Sequence, residues 1–280
     1  MAFTGRARPL HLRNHMIILI TGITSGFGRE MARRLAAEGH KVYGTYRHAS
    51  EPLEGVTYIK AEVTSDAEVE AAVRQVLEAE GRLDVFINNA GMGVGGPLEL
   101  TCIDDARRQM DVNFMGMVRF LHFVIPQMRK QGFGKIVCLS SIAGRLGLPF
   151  QGVYSASKFA IEGYCDALRL ELRKSGVKVV VIEPGDFATG FTGSRQKVAF
   201  DREALEAYPS YQASLEGMEK DERTGLKPEY LAGKVSEILR RKNPRCTYVI
   251  ATPVQKASIP LSLLLPKKLW NRIFASWYGL

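Results

Sequence analysis

The 280 residues are poor in the groups that build covalent frameworks and metal centres. Four cysteines, Cys102, Cys138, Cys165 and Cys246, form no CxxC pair. A disulfide framework is therefore excluded, and a reduced, cytoplasmic setting is expected. Five histidines (His11, His15, His40, His48, His122) show no HExxH pattern and no cluster with cysteine, so no metal is expected. No apolar stretch approaches the roughly 18 residues of a membrane span. The apolar run at Met16–Ile20 is also too short for a signal peptide, and no small-residue cleavage site follows it. Met16 is then a candidate native start, with residues 1–15 a basic extension that the fold does not need.

Acid is missing from both ends. Residues 1–15 hold Arg6, Arg8 and Arg13 and no Asp or Glu, and no acid follows Glu237, where eight Lys and Arg remain. The formal charge of +9 thus divides into +11 at the ends and −2 over residues 16–237. A basic groove across the body, as a nucleic-acid partner requires, is not expected.

What remains is an ordinary globular composition, 46% hydrophobic and 24% charged, long enough for one large α/β domain. Short apolar runs at Met16–Thr21, Lys41–Thr45, Thr57–Lys60, Leu83–Asn88, Lys135–Ser140, Val177–Glu183 and Tyr248–Ala251 read as strands. Amphipathic stretches alternate with them: Gly26–Glu38, a segment opened by a Ser65/Glu68 capping box and ending near Gly81, Ile103–Lys130, Tyr154–Lys174 and Pro228–Arg241. Strands apolar throughout, each followed by a helix, predict a doubly wound parallel sheet covered on both faces, in a single domain over residues 16–252. Between Phe187 and Lys227 the pattern loosens, which predicts an irregular substrate loop. Residues 253–280 form a basic, aromatic C-terminal segment.

The first strand runs into Thr21-Gly22-Ile23-Thr24-Ser25-Gly26-Phe27-Gly28. Glycines there permit a tight turn and close approach of a ligand, and a helix N-terminus offers N–H groups to a pyrophosphate. Further on stand Asn88-Asn89-Ala90-Gly91, Asn113-Phe114-Met115-Gly116, Ser141, Tyr154-x3-Lys158 and Pro184-Gly185. Together, in this order and over about Met16–Ala251, these motifs resemble the short-chain dehydrogenase/reductase family, and in character its hydroxysteroid and retinol dehydrogenase-like branch.

The resemblance implies a Rossmann fold and hydride transfer between NADP(H) or NAD(H) and a carbonyl or alcohol. Tyr154 and Lys158, one helical turn apart, face the same way. A nearby ammonium would favour the phenolate of a tyrosine whose free pKa is about 10, so Lys158 is expected to lower the pKa of Tyr154, the general acid/base. Ser141 would orient the substrate, and by resemblance Lys158 would hold the nicotinamide ribose and Asn113 a relay water. Gly22, Thr24, Ser25, Gly26, Phe27 and Gly28 are expected to cradle the cofactor. Asn89, Ala90 and Gly91 would line its other side, Pro184, Gly185 and Phe187 are further expected cofactor contacts, and Thr189 is expected to touch the carboxamide.

Cofactor choice rests on the end of the second strand. Where relatives using NAD usually carry an acid, this chain has Tyr46 followed by Arg47, a guanidinium suited to a 2′-phosphate. NADP(H) is preferred and NAD(H) is the second choice. Glu62-Val63 stands where the family usually has Asp-Val at the adenine.

Phe187, Phe191, Phe200, Tyr208 and Tyr211 give the loop an aromatic character, which suits a bulky hydrophobic substrate: steroid, retinoid or long-chain lipid. A small polar carbonyl compound and a catalytically silent NADP-binding regulator are the alternatives. Leu269, Trp270, Ile273, Phe274, Trp277 and Tyr278 recur at helical spacing among cations. Two readings stay open for them, packing on the chain's own domain or on a partner subunit, or a peripheral membrane contact. A homodimer or homotetramer through the helices near Asp104–Lys130 and Tyr154–Lys174 is expected from the family alone.

Overall fold

The computed structural model describes residues 15–198, 203 and 206–280. Nine strands are described: β1 Ile17–Ile20, β2 Lys41–Tyr46, β3 Val56–Lys60, β4 Val85–Asn88, β5 Val94–Gly95, β6 Gly134–Leu139, β7 Val177–Pro184, β8 Gln196–Lys197 and β9 Thr247–Ile250. Seven of them form a parallel sheet in the order β3-β2-β1-β4-β6-β7-β9, while β5 and β8 pair separately. The order reverses between β1 and β4, so a crevice opens at their C-terminal ends, where open α/β sheets bind ligands.

The reason the strands are apolar throughout is visible in β1. Ile17 and Leu19 join one core, with Phe86, Phe120 and Ile161, whereas Ile18 and Ile20 join the other, with Met31, Leu35 and Val235. Alternating side chains point to opposite faces, and both faces are covered. Helices α1 (Gly26–Ala37) and α8 (Pro228–Arg240) supply one layer; α2 (Asp66–Glu80), α4 (Gly116–Gln131) and α5 (Gly152–Glu171) supply the other.

Four expectations change in detail. The predicted helix over 103–130 is two helices, α3 (Ile103–Met110) and α4, joined by a π turn at Asp111–Met115 that contains Asn113. The segment 187–227 is not an irregular loop. It holds a short helix α6 (Phe191–Ser194), β8 and the 14-residue helix α7 (Tyr211–Thr224). Helix α7 buries Tyr211, Ser214, Leu215, Met218 and Glu219, a mixed face that masks its helical period. The basic tail folds into α9 (Pro253–Leu264), opened by a full Thr252/Gln255 capping box, and α10 (Lys267–Trp277). The Ser65/Glu68 box is half formed: Ser65 accepts from the Glu68 N–H, but the Glu68 carboxylate accepts from the N–H of Glu62 at 2.9 Å.

Residues 1–14 of the expected N-terminal extension, with Arg6, Arg8 and Arg13, and Phe200 of the expected loop lie outside the described residues. Among the described residues, no helix is long and apolar enough to cross a membrane.

Candidate active site

A cavity of about 980 Å³ opens at the crevice between β1 and β4. Its first wall is the β1–α1 turn. Gly22 (φ +70°) and Gly26 (φ +54°) take up left-handed conformations that favour glycine. A Cβ on Gly22 would lie 3.1 Å from the Ala90 Cα, and one on Gly28 would meet the Gly22 carbonyl at 2.1 Å. Gly28 is therefore a packing glycine beneath the cavity. Gly22, Thr24, Ser25, Gly26 and Phe27 line it.

Ser25 occupies the N-cap of α1 without a side-chain hydrogen bond, and the first turn carries no acid. The N–H groups and partial positive charge at this end suit an anion. The turn is held from β4. The Asn89 amide donates to the carbonyls of Thr21 (2.8 Å) and Gly22 (2.9 Å), and the N–H groups of Asn89 and Ala90 both donate to the Thr21 hydroxyl at 2.9 Å. Thr21 was not singled out as a site residue, although it heads the glycine motif that names the turn.

Arg47, Glu62 and Val63 line the next stretch of wall. The half-exposed Arg47 guanidinium lies 3.7 Å from the Glu62 carboxylate and donates to the His48 ring at 2.9 Å. An exposed pair of this kind is worth about 0–1 kcal/mol, so a phosphate could displace it. Cradle, helix terminus and guanidinium together fit a phosphorylated dinucleotide.

Ser141 caps a 3₁₀ turn (Ile142–Gly144) after β6, its hydroxyl accepting from the Ala143 N–H at 3.1 Å. Tyr154 and Lys158 come from the first half of α5. All three line the cavity with Ala90, Gly91, Pro184, Gly185, Phe187 and Thr189. Burial pushes the Tyr154 phenol up to about 12, with the Ser141 hydroxyl opposing that shift. Burial also brings the Lys158 ammonium down to about 8. That ammonium donates to the Leu139 carbonyl at 2.8 Å and lies 5.6 Å from the centre of the Tyr154 ring. Desolvation sets the direction of the phenol's shift, and the Lys158 ammonium addresses a backbone oxygen. A neutral phenol beside Ser141 is a proton donor, which suits reduction of a carbonyl.

Asn113 is buried outside the cavity lining, and its side-chain amide is taken up by protein. The Met92 N–H donates to it at 2.8 Å, and it donates to the Met92 carbonyl and the Ser157 hydroxyl, each at 3.0 Å. Its side chain clamps the backbone beyond Gly91 to α5. The π turn brings it there, as such turns often do at functional sites.

Behind the floor lies a buried charged group. Arg145 is 2.8 Å from Glu183 and 3.3 Å from Glu162. Burial pushes the Glu162 carboxyl up to about 7, with Glu183 adding to the shift and Ser140 and Arg145 opposing it. Tyr154, Lys158 and Glu162 follow one another at four-residue steps along one face of α5.

The far end of the cavity is built from side chains. Phe191 lies against Tyr154 with ring centres 5.6 Å apart, and a Cβ on Gly93 would strike its ring at 2.8 Å. Arg195, ion-paired to Glu222, and Thr192, donating to Glu222 at 2.6 Å, tie α6 to α7. Phe274, Trp277 and Tyr278 close the cavity from α10, and Gln255 and Ser258 from α9. The Ser214 hydroxyl donates to the Tyr278 carbonyl. Trp270 is 2% exposed, so the aromatic tail packs on its own domain. Of the expected loop aromatics, Phe187 and Phe191 line the cavity. Tyr208 and Tyr211 instead pack with Phe150 in a separate cluster.

The family model described as short chain dehydrogenase matches residues 16–199. The 3-ketodihydrosphingosine reductase of Bacteroides thetaiotaomicron is 42% identical over 264 residues, covering 94% of this chain and 98% of that protein. Human 17-beta-hydroxysteroid dehydrogenase type 1 is 34% identical over 253 residues, 83% of this chain and 76% of that one. Among solved structures, a short-chain dehydrogenase from Streptomyces avermitilis superposes with a TM-score of 0.78 at 26% identity, covering 93% of this chain and 97% of that one.

Proposed function

The chain belongs to the short-chain dehydrogenase family, and from that premise we propose that it reduces a ketone on a long-chain lipid with NADPH. The observation that carries this reading is the convergence of Ser141, Tyr154 and Lys158 in a cavity that the aromatic Phe191, Phe274, Trp277 and Tyr278 also line, together with polar side chains such as Gln255 and Glu222. The sphingoid-ketone reductase at 42% identity supports a long-chain substrate. The hydroxysteroid dehydrogenase supports a steroid as the second choice.

The β1–α1 turn would hold the pyrophosphate, Arg47 the 2′-phosphate, Glu62 and Val63 the adenine, and Thr189 the carboxamide. The nicotinamide, when bound, supplies the hydride. Ser141 and Tyr154 together would hold the substrate oxygen by their hydroxyls. Tyr154 gives that oxygen its proton. Lys158, largely protonated at neutral pH, keeps a positive charge beside the ring that the departing proton leaves negative. Asn113 and Asn89 act by positioning: one fixes the backbone at Met92, the other the phosphate turn.

A silent regulator of the same fold is disfavoured by the presence of both Tyr154 and Lys158. Self-association would use the faces of α3–α4 and α5, where Ile103, Met115, Phe159 and Leu170 are exposed.

The test is NADPH oxidation with a long-chain 3-ketone. Tyr154→Phe should keep cofactor affinity while losing about 10²–10⁴ in turnover. A fully active variant would refute the assignment.

A further inference from the structure

Thirteen large apolar side chains are exposed among the described residues, and seven of them fall within the last 28. Six of these seven lie on α9 and α10, and Leu280 follows them. Leu263 is 83% exposed and Leu264 81%, with Leu261 and Leu269 beside them in the chain. Two leucines so exposed at the end of one helix cost solvation free energy unless something covers them.

Charge says what kind of surface would. Lys256, Lys267, Lys268 and Arg272 stand exposed on the same two helices, and none makes an ion pair among the described residues. No acid follows Glu237. Apolar side chains interleaved with unpaired cations match the acyl boundary and headgroups of an anionic bilayer. A second copy of the chain would bring these same cations together.

The position of these residues adds a use for them. Val254 and Trp277 line the cavity and are also exposed, so α9 and α10 edge its mouth. Phe274 and Tyr278 of α10 face the inside, while Leu269 faces out.

We infer that α9 and α10 form a membrane-docking platform that seats the cavity mouth on an anionic lipid surface, with Leu263 and Leu264 entering the acyl boundary. Binding is interfacial, since no described helix is long and apolar enough to cross. The docking itself stands on this surface alone. Its use, admitting a lipid ketone from the bilayer, rests on the reductase reading.

The experiment is co-sedimentation of the full chain with vesicles of equal parts phosphatidylcholine and phosphatidylglycerol, and with phosphatidylcholine alone. The account expects binding to the mixed vesicles, weakened by salt and much weaker on the neutral ones. The double substitution Leu263→Asp with Leu264→Asp should lower partitioning by at least about tenfold. Turnover of a short soluble ketone by that variant should be unchanged, which shows that it is folded. Vesicle-bound chain inactive on every ketone would support docking while removing the reductase reading. Three results would overturn the inference: no vesicle binding, equal binding to both compositions, or a dimer in solution that the double substitution splits while vesicles bind nothing.

Discussion

The two halves of the cavity are made of different material. At the cofactor end the wall is backbone: strand-end turns, glycines with no room for a methyl, and an asparagine and a threonine that hold the turn in place. At the substrate end the wall is side chain: Phe191, Phe274, Trp277 and Tyr278, carried on helices that reach the site from distant parts of the chain. The backbone part of that wall fixes what a ligand's shared part must be, because Gly22 and Gly28 cannot be exchanged without moving the turn. A side-chain wall can be rebuilt one residue at a time, and we propose that substrate choice resides there.

The sharpest way to break this contrast is at Gly28. A Cβ there would lie 2.1 Å from the Gly22 carbonyl and 2.5 Å from the Asn89 amide, neither of them a flexible end. Gly28→Ala should cost about 1–3 kcal/mol in stability and remove most cofactor affinity, read by denaturant unfolding and by nucleotide titration. Equal affinity in the variant would mean that the cradle is not built as described.

A smaller effect separates the two nucleotides. Arg47→Asp, beside Glu62, would place two carboxylates where a 2′-phosphate is proposed. NADPH should weaken about tenfold more than NADH, measured as KM for each. Equal weakening would show Arg47 to be a surface residue.

The smallest effect lies behind the floor. Glu162 titrates near 7 in the folded chain against 4.5 ordinarily. Between those values the folded state holds a proton that the unfolded state releases. The resulting stability is complete below about pH 4.5 and is lost as pH rises through 7. Glu162→Gln should flatten the stability profile across that window. An unchanged slope would assign it to another group, such as Asp186, which burial pushes up to about 6.

Legibility in the sequence followed the same division. Strands buried on both faces announce themselves as unbroken apolar runs, and the Thr21–Gly28 turn and the Tyr154–Lys158 step on one helix are local patterns. Asn113 was visible as a residue but not in its role, since its partners at Met92 and Ser157 are set by tertiary packing. Burial of the phenol was illegible for a similar reason: helical spacing brings Lys158 to the Tyr154 ring but says nothing about how dry the site is. Helix α7 was hidden because its buried face mixes Ser214 and Glu219 with Leu215 and Met218. The tail's aromatics were legible as a helix, while their place over the cavity was not, because no local pattern records which surface a terminal helix returns to.

The central claim is that one end of the cavity performs the chemistry and the other selects the substrate. The direct measurement is the ratio of kcat/KM for a long-chain 3-ketone to that for a short ketone with the same carbonyl, in the native chain and in Phe274→Ala and Trp277→Ala. The account predicts a ratio well above one in the native chain. It should fall by about tenfold in the variants, with turnover of the short ketone held constant. A native ratio near one, or variants that lose both substrates equally, would contradict it.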